Sequence, residues 1–555
     1  MKDKNLTSLI NALQEQASNT EVVPKLAKNS MNALEEFVDK VESLEDENQK
    51  LKNELSKLKG ETVPPNLRKQ TPKKNKDHSS TKQRKGKGKK SKKGGSKKNT
   101  VKVNRTEKLT IAPKDLPADA KRSGIKKTII QDIKIITDNI EFNRQMYFSK
   151  SENKTYIAPL PEGYDGEYGP SLKTWVKTLY SAAQMTIDNI AFVFNTAGSI
   201  ISSSTISRII TNNNDALHEE KIDIIKAGLK STTYHHLDDT SGRESGTNCY
   251  VNILTNPYYT AYFTLMSKSR TTVIEMLSLD EVSYIFDDLS FALMSEMGLP
   301  CKDLQLIRYK TSNLRYFKKD VDALLSDIYL DPKKNLKHKK IILEAASISS
   351  YRKSEYSIKH LIVDDAPQFK LITENLGLCW VHEGRHYNKL TPFFDANKKV
   401  LEQFISTFWE FYRLLKAYKK APYQTKEKEL KIKFNEIFSQ KTGYKALDKQ
   451  IARTLGKKES LLLVLSYPWI PIHNNPAELE VRFQARNRDI HYHTMSKAGT
   501  KIKDTLATIT MTAKKLAVNV FKYLLDKITK TFEMPTLAEL ITLKSGGDQI
   551  LDTPS

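Results

Sequence analysis

Leu361-Ile362-Val363-Asp364-Asp365-Ala366-Pro367 is the stretch on which the reading of this chain turns. Three aliphatic residues are closed by two acids and a turn-forming Ala-Pro, the pattern of a short buried strand with carboxylates at its end. Far upstream, Tyr234-His235-His236-Leu237-Asp238-Asp239-Thr240 has the same character. Far downstream, His473-Asn474-Asn475-Pro476-Ala477-Glu478 reads as a helix start, with Asn475 as cap, Pro476 first and Glu478 third. Each acid alone has a local explanation: a turn at Asp238-Asp239, an Asp cap at Asp364, a capping box at Glu478. Together Asp238, Asp364 and Glu478 offer oxygen ligands of the kind Mg²⁺ requires. Two such ions bracket the attacking and leaving oxygens of a phosphodiester.

Two strand-end Asp followed much later by a helical Glu is the order in which polynucleotidyl transferases with an RNase H-like core present a two-metal site. Composition agrees with a nucleic-acid partner. The 555 residues carry a net charge of +25 and a pI near 9.5, which points to a polyanion. Between Arg68 and Lys98 stand 15 Lys or Arg and one Asp, in a Lys/Gly/Ser-rich stretch unable to bury a core. Lys73, Lys74, Arg84, Lys85, Lys89, Lys90, Lys92 and Lys93 are expected to attract DNA phosphates through counterion release. Cys249, Cys301 and Cys379 are too scattered for a disulfide framework or a zinc ribbon, and suit a reducing compartment. The chain starts without an apolar leader and contains no run of about 18 apolar residues, so a soluble intracellular protein without a membrane partner is expected.

Residues 31–60 show a zipper pattern. Leu34, Val41, Asn48 and Leu55 fall at heptad position a; Phe37, Leu44, Leu51 and Leu58 fall at d. Asn48 at an a position favours a parallel dimer in fixed register. Lys40, Glu47 and Glu54 at g face Glu45, Lys52 and Lys59 at e of a parallel partner, each pair attractive. A bZIP regulator would carry its basic region before the zipper, whereas here it follows and glycines break it. Residues 170–212 read as helical, with a helix-turn-helix candidate from Thr186 to Ile210; Ser203, Thr205 and Arg208 are its expected base-reading residues, and a plain helical hairpin fits the pattern equally well. Strand-like runs at 234–237, 249–254 and 258–266 predict a meander.

Four stretches in combination resemble the bacterial insertion-sequence transposases of family sixty-six: Leu237 to Thr240, Val363 to Phe369, Leu378-Cys379-Trp380-Val381-His382-Glu383-Gly384-Arg385-His386-Tyr387, and His473 to Arg482. The resemblance spans roughly residues 105–530. It implies an RNase H-like DDE domain in which Asp238, Asp364 and Glu478 bind two Mg²⁺ ions (Mn²⁺ as substitute) and cleave DNA; Asp239, Asp365 and Glu480 are the competing assignments. It also implies active-site support from Cys379, His382 and Arg385. Arg482 and Arg486, four and eight positions after Glu478 on one helix face, are expected to hold its carboxylate or contact DNA phosphates, and a structural ion pair fits the spacing equally well. Taken alone, Cys379, His382 and His386 hint at zinc, without an evident fourth ligand. The implied partners are double-stranded DNA and further copies of the chain, and the implied location is the nucleoid in a bacterial cytoplasm. Many members carry a cysteine-rich zinc module where this chain has its basic linker. The rival readings are an inactive DNA-binding protein of the same fold and a structure-specific nuclease without strand transfer.

The expected organisation is multidomain α/β: a coiled-coil segment at 1–62, a basic linker at 63–105 and a mainly helical DNA-binding region at 106–230. The first part of the catalytic core follows at 231–396 with a helical insert at 271–356, then an all-α insertion at 397–467. The Glu-bearing and C-terminal helices come last, at 468–535, with a flexible tail at 536–555.

Overall fold

A five-stranded mixed sheet, assembled from two distant parts of the chain, is the centre of the molecule. The computed structural model describes residues 24–58 and 102–549, apart from 113–114, 118, 121–123, 280, 313 and 332–333. Most of the basic linker, including Lys73 to Lys93, lies outside the described residues, as does Lys59 of the zipper.

Strands β3 (Tyr234–Glu244), β4 (Thr247–Thr255) and β5 (Thr260–Leu265) form an antiparallel meander; β1 (Met146–Ser149) and β2 (Lys154–Ile157) are a separate hairpin. Ser245 and Gly246 join β3 to β4 with φ of 47° and 80°, the left-handed pair a two-residue hairpin turn demands. After Thr255, the Asn256 side chain accepts the N–H groups of Tyr258 and Tyr259 and closes the next turn. β8 (His360–Val363) pairs parallel to β3, and β9 (Asn375–Leu378) parallel to β8, giving the order β5-β4-β3-β8-β9. The expected first strand is longer than its sequence pattern: β3 carries Asp238 in mid-strand opposite Ile253, not in a turn.

Helices cover this sheet. α1 (Pro24–Leu58) stands apart from α2 (Pro170–Ser181), α3 (Ile187–Thr196), α4 (Ser203–Thr211) and α5 (Asp215–Ser231), which precede β3. α6 (Arg270–Ser278), α7 (Asp288–Glu296), α8 (Cys301–Lys310), α9 (Lys318–Ile328) and α10 (Leu336–Arg352) lie between β5 and β8, with a small β6 (Ser283–Ile285) and β7 (Arg315–Phe317) pair. α11 (Trp380–Asn388) follows β9. Then come the insertion helices α12 (Asp395–Tyr418), α13 (Gln424–Phe438), α14 (Lys445–Leu455), α15 (Lys458–Leu461) and α16 (Leu463–Ser466). α17 (Asn475–His491), α18 (Lys497–Lys515), α19 (Val520–Thr529) and α20 (Leu537–Gln549) complete the chain.

The flexible tail expected from residue 536 is instead α20 over 537–549. Leu537 and Ile541 are fully buried, and the Leu537 N–H donates to Glu220 on α5. In the helix-turn-helix candidate, the hydroxyl of Ser203 donates to Asp188 of α3 and Thr205 accepts from Arg208. Ser203 therefore ties the two helices together, and of the three expected base-reading residues Arg208 is the exposed one.

The free edge of the sheet is sealed by side chains. The N–H groups of Thr260, Tyr262 and Thr264 donate to Thr512 Oγ1, Thr508 Oγ1 and Asp504 Oδ2, at 3.2, 3.1 and 2.7 Å. Four residues of helix rise about 6.0 Å and two residues of strand about 6.6 Å, so the i, i+4, i+8 row of α18 runs in step with every second strand residue. An edge that would otherwise template pairing with another chain is covered. Thr508→Val keeps the shape but orphans the Tyr262 N–H, and should lower stability by about 1–3 kcal/mol in denaturant titration.

Candidate active site

Parallel pairing of β3 with β8 sets Tyr234 against His360 and His236 against Ile362. Continuing that register by two residues brings Asp238 alongside Asp364, the first residue after β8. Asp238 Oδ1 accepts the Asp239 N–H at 2.8 Å, and Asp364 Oδ1 accepts the Ala366 N–H at 3.1 Å. Neither is ion-paired among the described residues. Burial, and then the charge of Asp364, push Asp238 up to about 7. Burial likewise raises Asp364. Two desolvated, mutually repelling carboxyls suit a hard divalent cation, whose charge would offset what now disfavours their ionisation.

The acids beside them are differently placed. Asp239 receives Lys268 Nζ at 2.8 Å and Gln368 Nε2 at 2.9 Å. Asp365 is paired with Lys457 at 2.7 Å and Lys370 at 2.9 Å; burial alone would raise it, but the two lysines outweigh burial and hold it below the ordinary value. Glu480 accepts from the Tyr262 hydroxyl at 2.9 Å, with Lys515 at 3.9 Å. Lys457 also meets buried Glu383 at 2.9 Å, whose other oxygen accepts from Thr454 at 2.6 Å.

Glu478 lies in the first turn of α17 but does not complete a capping box; the cap position is Asn474, and neither side chain caps the helix. Arg385 Nη2 reaches Glu478 Oε2 at 3.0 Å, and Arg482 Nη2 is 3.8 Å from the same oxygen. Arg385 Nη1 lies 3.0 Å from His382 Nε2. Guanidinium only donates, so Nε2 accepts and the neutral ring carries its proton on Nδ1, 3.6 Å from Glu478 Oε1. Both Glu478 and Asp364 act electrostatically on His382, while Glu478 acts on Asp238. The three acids and the α11 residues thus share one neighbourhood. Cys379, His382 and Glu478 place ligand atoms within 4.8 Å of one another. His386 is not in that group; its electrostatic neighbours are Glu383, Lys457 and Asp365. The zinc trio hinted at by sequence is therefore not assembled. The Cys379 thiol, pushed up to about 11 by burial, accepts the Asn474 N–H at 3.1 Å.

Asn474 is the residue that sequence reasoning missed. It is fully buried. Its Nδ2 donates to the Leu237 carbonyl at 3.0 Å, and its Oδ1 lies 3.0 Å from His236 Nδ1. Burial pushes His236 down to about 3, so the neutral ring donates from Nδ1. The Asn474 carbonyl accepts the Glu478 N–H at 3.1 Å. One residue, through its side-chain amide, backbone N–H and backbone carbonyl, therefore connects the strand ahead of Asp238, the start of α11 and the turn bearing Glu478.

Comparison with known proteins assigns the class. The transposase IS66 family matches residues 360–502, a range that holds Asp364, Cys379, His382, Arg385 and Glu478 but not Asp238. An uncharacterized protein, y4jO, of Sinorhizobium fredii (strain NBRC 101917 / NGR234) is 31% identical over 310 residues, covering 55% of this chain and 94% of that protein. The chain belongs to the transposase IS66 family, a family of nucleic-acid-processing enzymes. No helix among the described residues is long and apolar enough to cross a membrane.

Asn474→Ala should strand a buried carbonyl and a buried imidazole donor and destabilise the fold by at least about 2 kcal/mol, measured by denaturant titration. The raised Asp238 makes a second expectation. Its folded value of about 7 exceeds the ordinary 3.8, so the folded chain binds the extra proton and the associated stability is complete below about pH 4. That stability is lost as pH rises toward and through 7. The metal-free chain should melt at lower temperature at pH 8 than at pH 5, and Asp238→Asn should reduce the difference in thermal scans.

Proposed function

We propose that the protein is a DDE transposase with an RNase H-like core, in which Asp238, Asp364 and Glu478 cleave DNA at transposon ends and join the freed 3′-hydroxyls to target DNA. The observation carrying this reading is the division among the acids: Asp238 and Asp364 stand side by side without an ion-pair partner among the described residues, whereas Asp239, Asp365 and Glu480 each have partners of their own. A meander extended by parallel strands, with acids on the two neighbouring central strands, supports the fold assignment.

In the first step a water oxygen bonds to phosphorus, the bond from phosphorus to the 3′ oxygen breaks, and the proton ends on the released 3′-hydroxyl. In the second, that hydroxyl attacks a target phosphodiester, whose own 3′ oxygen leaves. Asp238, Asp364 and Glu478 would hold a pair of divalent ions, Mg²⁺ by the hardness of the donors or Mn²⁺ in its place, which would supply activation of the attacking oxygen and charge stabilisation on the phosphate. Arg385 and His382 orient the Glu478 carboxylate. Lys457, Lys370 and Lys268 keep the second acid of each pair engaged elsewhere. Exposed Arg482 and Arg486 on α17 offer phosphate contacts along the DNA backbone. The α3–α4 hairpin with Arg208 is the proposed reader of the transposon end, and Lys73 to Lys93 add attraction independent of sequence. The place of action would be the bacterial nucleoid.

Asp238→Asn, Asp364→Asn and Glu478→Gln should each reduce DNA cleavage at least a thousandfold, with end binding within about threefold of the parent, in a gel assay with Mg²⁺ on DNA bearing the element's ends. Asp239→Asn should retain measurable cleavage. Cleavage surviving all three substitutions would sink the assignment. Cleavage without joining of pre-cut 3′-hydroxyl ends would leave a nuclease instead.

A further inference from the structure

α17 ends in a backbone conformation that an aromatic residue rarely adopts. Tyr492 has φ 60° and ψ −69°, and across it the His493 N–H donates to the His491 carbonyl at 2.7 Å. This is the γ-turn of the strained hand, with Tyr492 at its centre. Glycine would take that backbone freely, whereas an L-residue stays there only when its surroundings over-determine it. Those surroundings are the hairpin that joins β3 to β4. The Ser245 N–H donates to the Thr494 carbonyl at 2.7 Å, and the Thr494 N–H donates to the Arg243 carbonyl at 3.2 Å. The Ser245 hydroxyl donates to the Met495 carbonyl at 2.8 Å. The hydroxyls of Thr494 and Thr500 lie 2.6 Å apart and tie the loop to α18.

The strapped loop holds apolar side chains away from the protein. Tyr492 and Met495 are 75 and 77% exposed. The elements that carry the loop are basic at exposed positions: Arg243 on the hairpin, Arg486 on α17, Lys497 and Lys501 on α18. Asp489, an exposed acid on the last turn of α17, has Arg488 at 3.9 Å. Apolar side chains projecting from a basic rim match a duplex, in which stacked bases lie between phosphates. From Glu478 to His491, α17 rises about 20 Å, or about six base pairs of duplex, and Arg482 and Arg486 are exposed along the way.

We propose that Tyr492 and Met495 form a wedge that enters one base step of the bound DNA duplex, unstacks it and kinks the DNA there. The wedge presupposes the DNA-cleaving reading above and fixes where along the duplex the deformation falls. A wedge has to be stiff, because a mobile side chain gives up its own freedom before it separates bases. The γ-turn bonded to the hairpin supplies that stiffness. A duplex lying along α17 meets Arg482 and Arg486 first, and the wedge about six base pairs from the cleaved bond. Insertion selects for ease of unstacking and not for base edges, so flexible pyrimidine–purine steps are favoured at that position.

The experiment uses the full chain with Asp364→Asn, so that bound DNA stays whole. The probe is duplex bearing the element's ends, with thymine placed in turn at each position within about one helical turn of the cleaved bond, about ten base pairs. Permanganate oxidises thymines that have lost their stacking. One step about six base pairs from the bond should become at least tenfold more reactive when the chain binds. Tyr492→Gly with Met495→Ser should abolish that reactivity, and Tyr492→Phe should keep it. With Asp364 restored, the double variant should cleave at least tenfold more slowly than the parent, and a mismatched pair at the same step should recover most of the rate. Tyr492→Gly alone should raise the melting temperature of the free chain, since it relieves the turn; a fall would make the ring a structural support and overturn the wedge. A parent that cleaves the ends without any reactive step, or reactivity that survives Tyr492→Gly with Met495→Ser, overturns the wedge alone. A parent that neither binds nor cleaves the ends overturns the DNA-cleaving reading and the wedge with it.

Discussion

The arrangement of the site depends on the side-chain amide of Asn474. A buried amide left without partners would be costly; here its donor and its acceptor both end on β3, through the Leu237 carbonyl and His236. The backbone N–H of Asn474 ends on Cys379, and two residues earlier the Ile472 carbonyl accepts the Trp380 N–H at 3.1 Å. These bonds close a neck between the residues that leave the sheet at 379–380 and those that return at 472–474. The whole all-α insertion hangs from that neck. Closing a longer loop adds only slowly to the entropy cost, so the chain runs 95 positions from Cys379 to Asn474 without spreading the carboxylates apart.

Electrostatics then sorts acids that are chemically alike. Adjacent strand residues point to opposite faces, so Asp238 and Asp239 cannot share surroundings: one faces Asp364, the other Lys268 and Gln368. Glu478 and Glu480, two residues apart on a helix, are about 200° apart around its axis; one turns to α11, the other to Tyr262 on β5. Asp365 is taken by Lys457, which simultaneously neutralises buried Glu383. A buried charge is tolerable only when paired and hydrogen-bonded. Among the described residues the same demand is unmet at Asp238 and Asp364, and a divalent cation bound there would meet it.

Much of this was legible in the sequence. Apolar runs ending in acids marked both central strands, because a buried strand must be apolar and its end need not be. The strands of the meander and the helical insertion followed from periodicity. What escaped had long-range causes. The sequence pattern named Asn475 as the cap and gave Asn474 no role; the structure puts Asn474 at the cap position and in contact with His236, 238 residues away. The alternation rule could state that one acid of each pair was free, but the lysines that decide which come from residues 268 and 457. Leu34 scored as a zipper residue because Phe394, which covers it, is invisible to a heptad count. The helix at 537–549 was hidden by Gly546 and Gly547, whose weak propensity is overridden by burial of Leu537 and Ile541 against α5.

Rigidity links the distant parts. Trp380, the first residue of α11, stacks with Phe408 and Phe411 of α12 at ring separations of 5.3 and 5.5 Å, and its indole N–H donates to the Leu461 carbonyl at 2.8 Å. Phe434 and Phe438 of α13 fill the far side of the same cluster. Gly384 is needed on α11 because any Cβ there would meet the Trp409 ring at 2.6 Å. Close-packed aromatic interiors deform little, so α11 and the insertion helices form one packed body. Arg385 and His382 project from that body, whereas Glu478 belongs to a helix bonded to the sheet. The Arg385–Glu478 contact is therefore where two rigid parts meet. Glu35 accepts N–H groups at the start of the same α12 that carries Phe408, so the N-terminal helix is joined to the body that sets Arg385 and His382 beside Glu478.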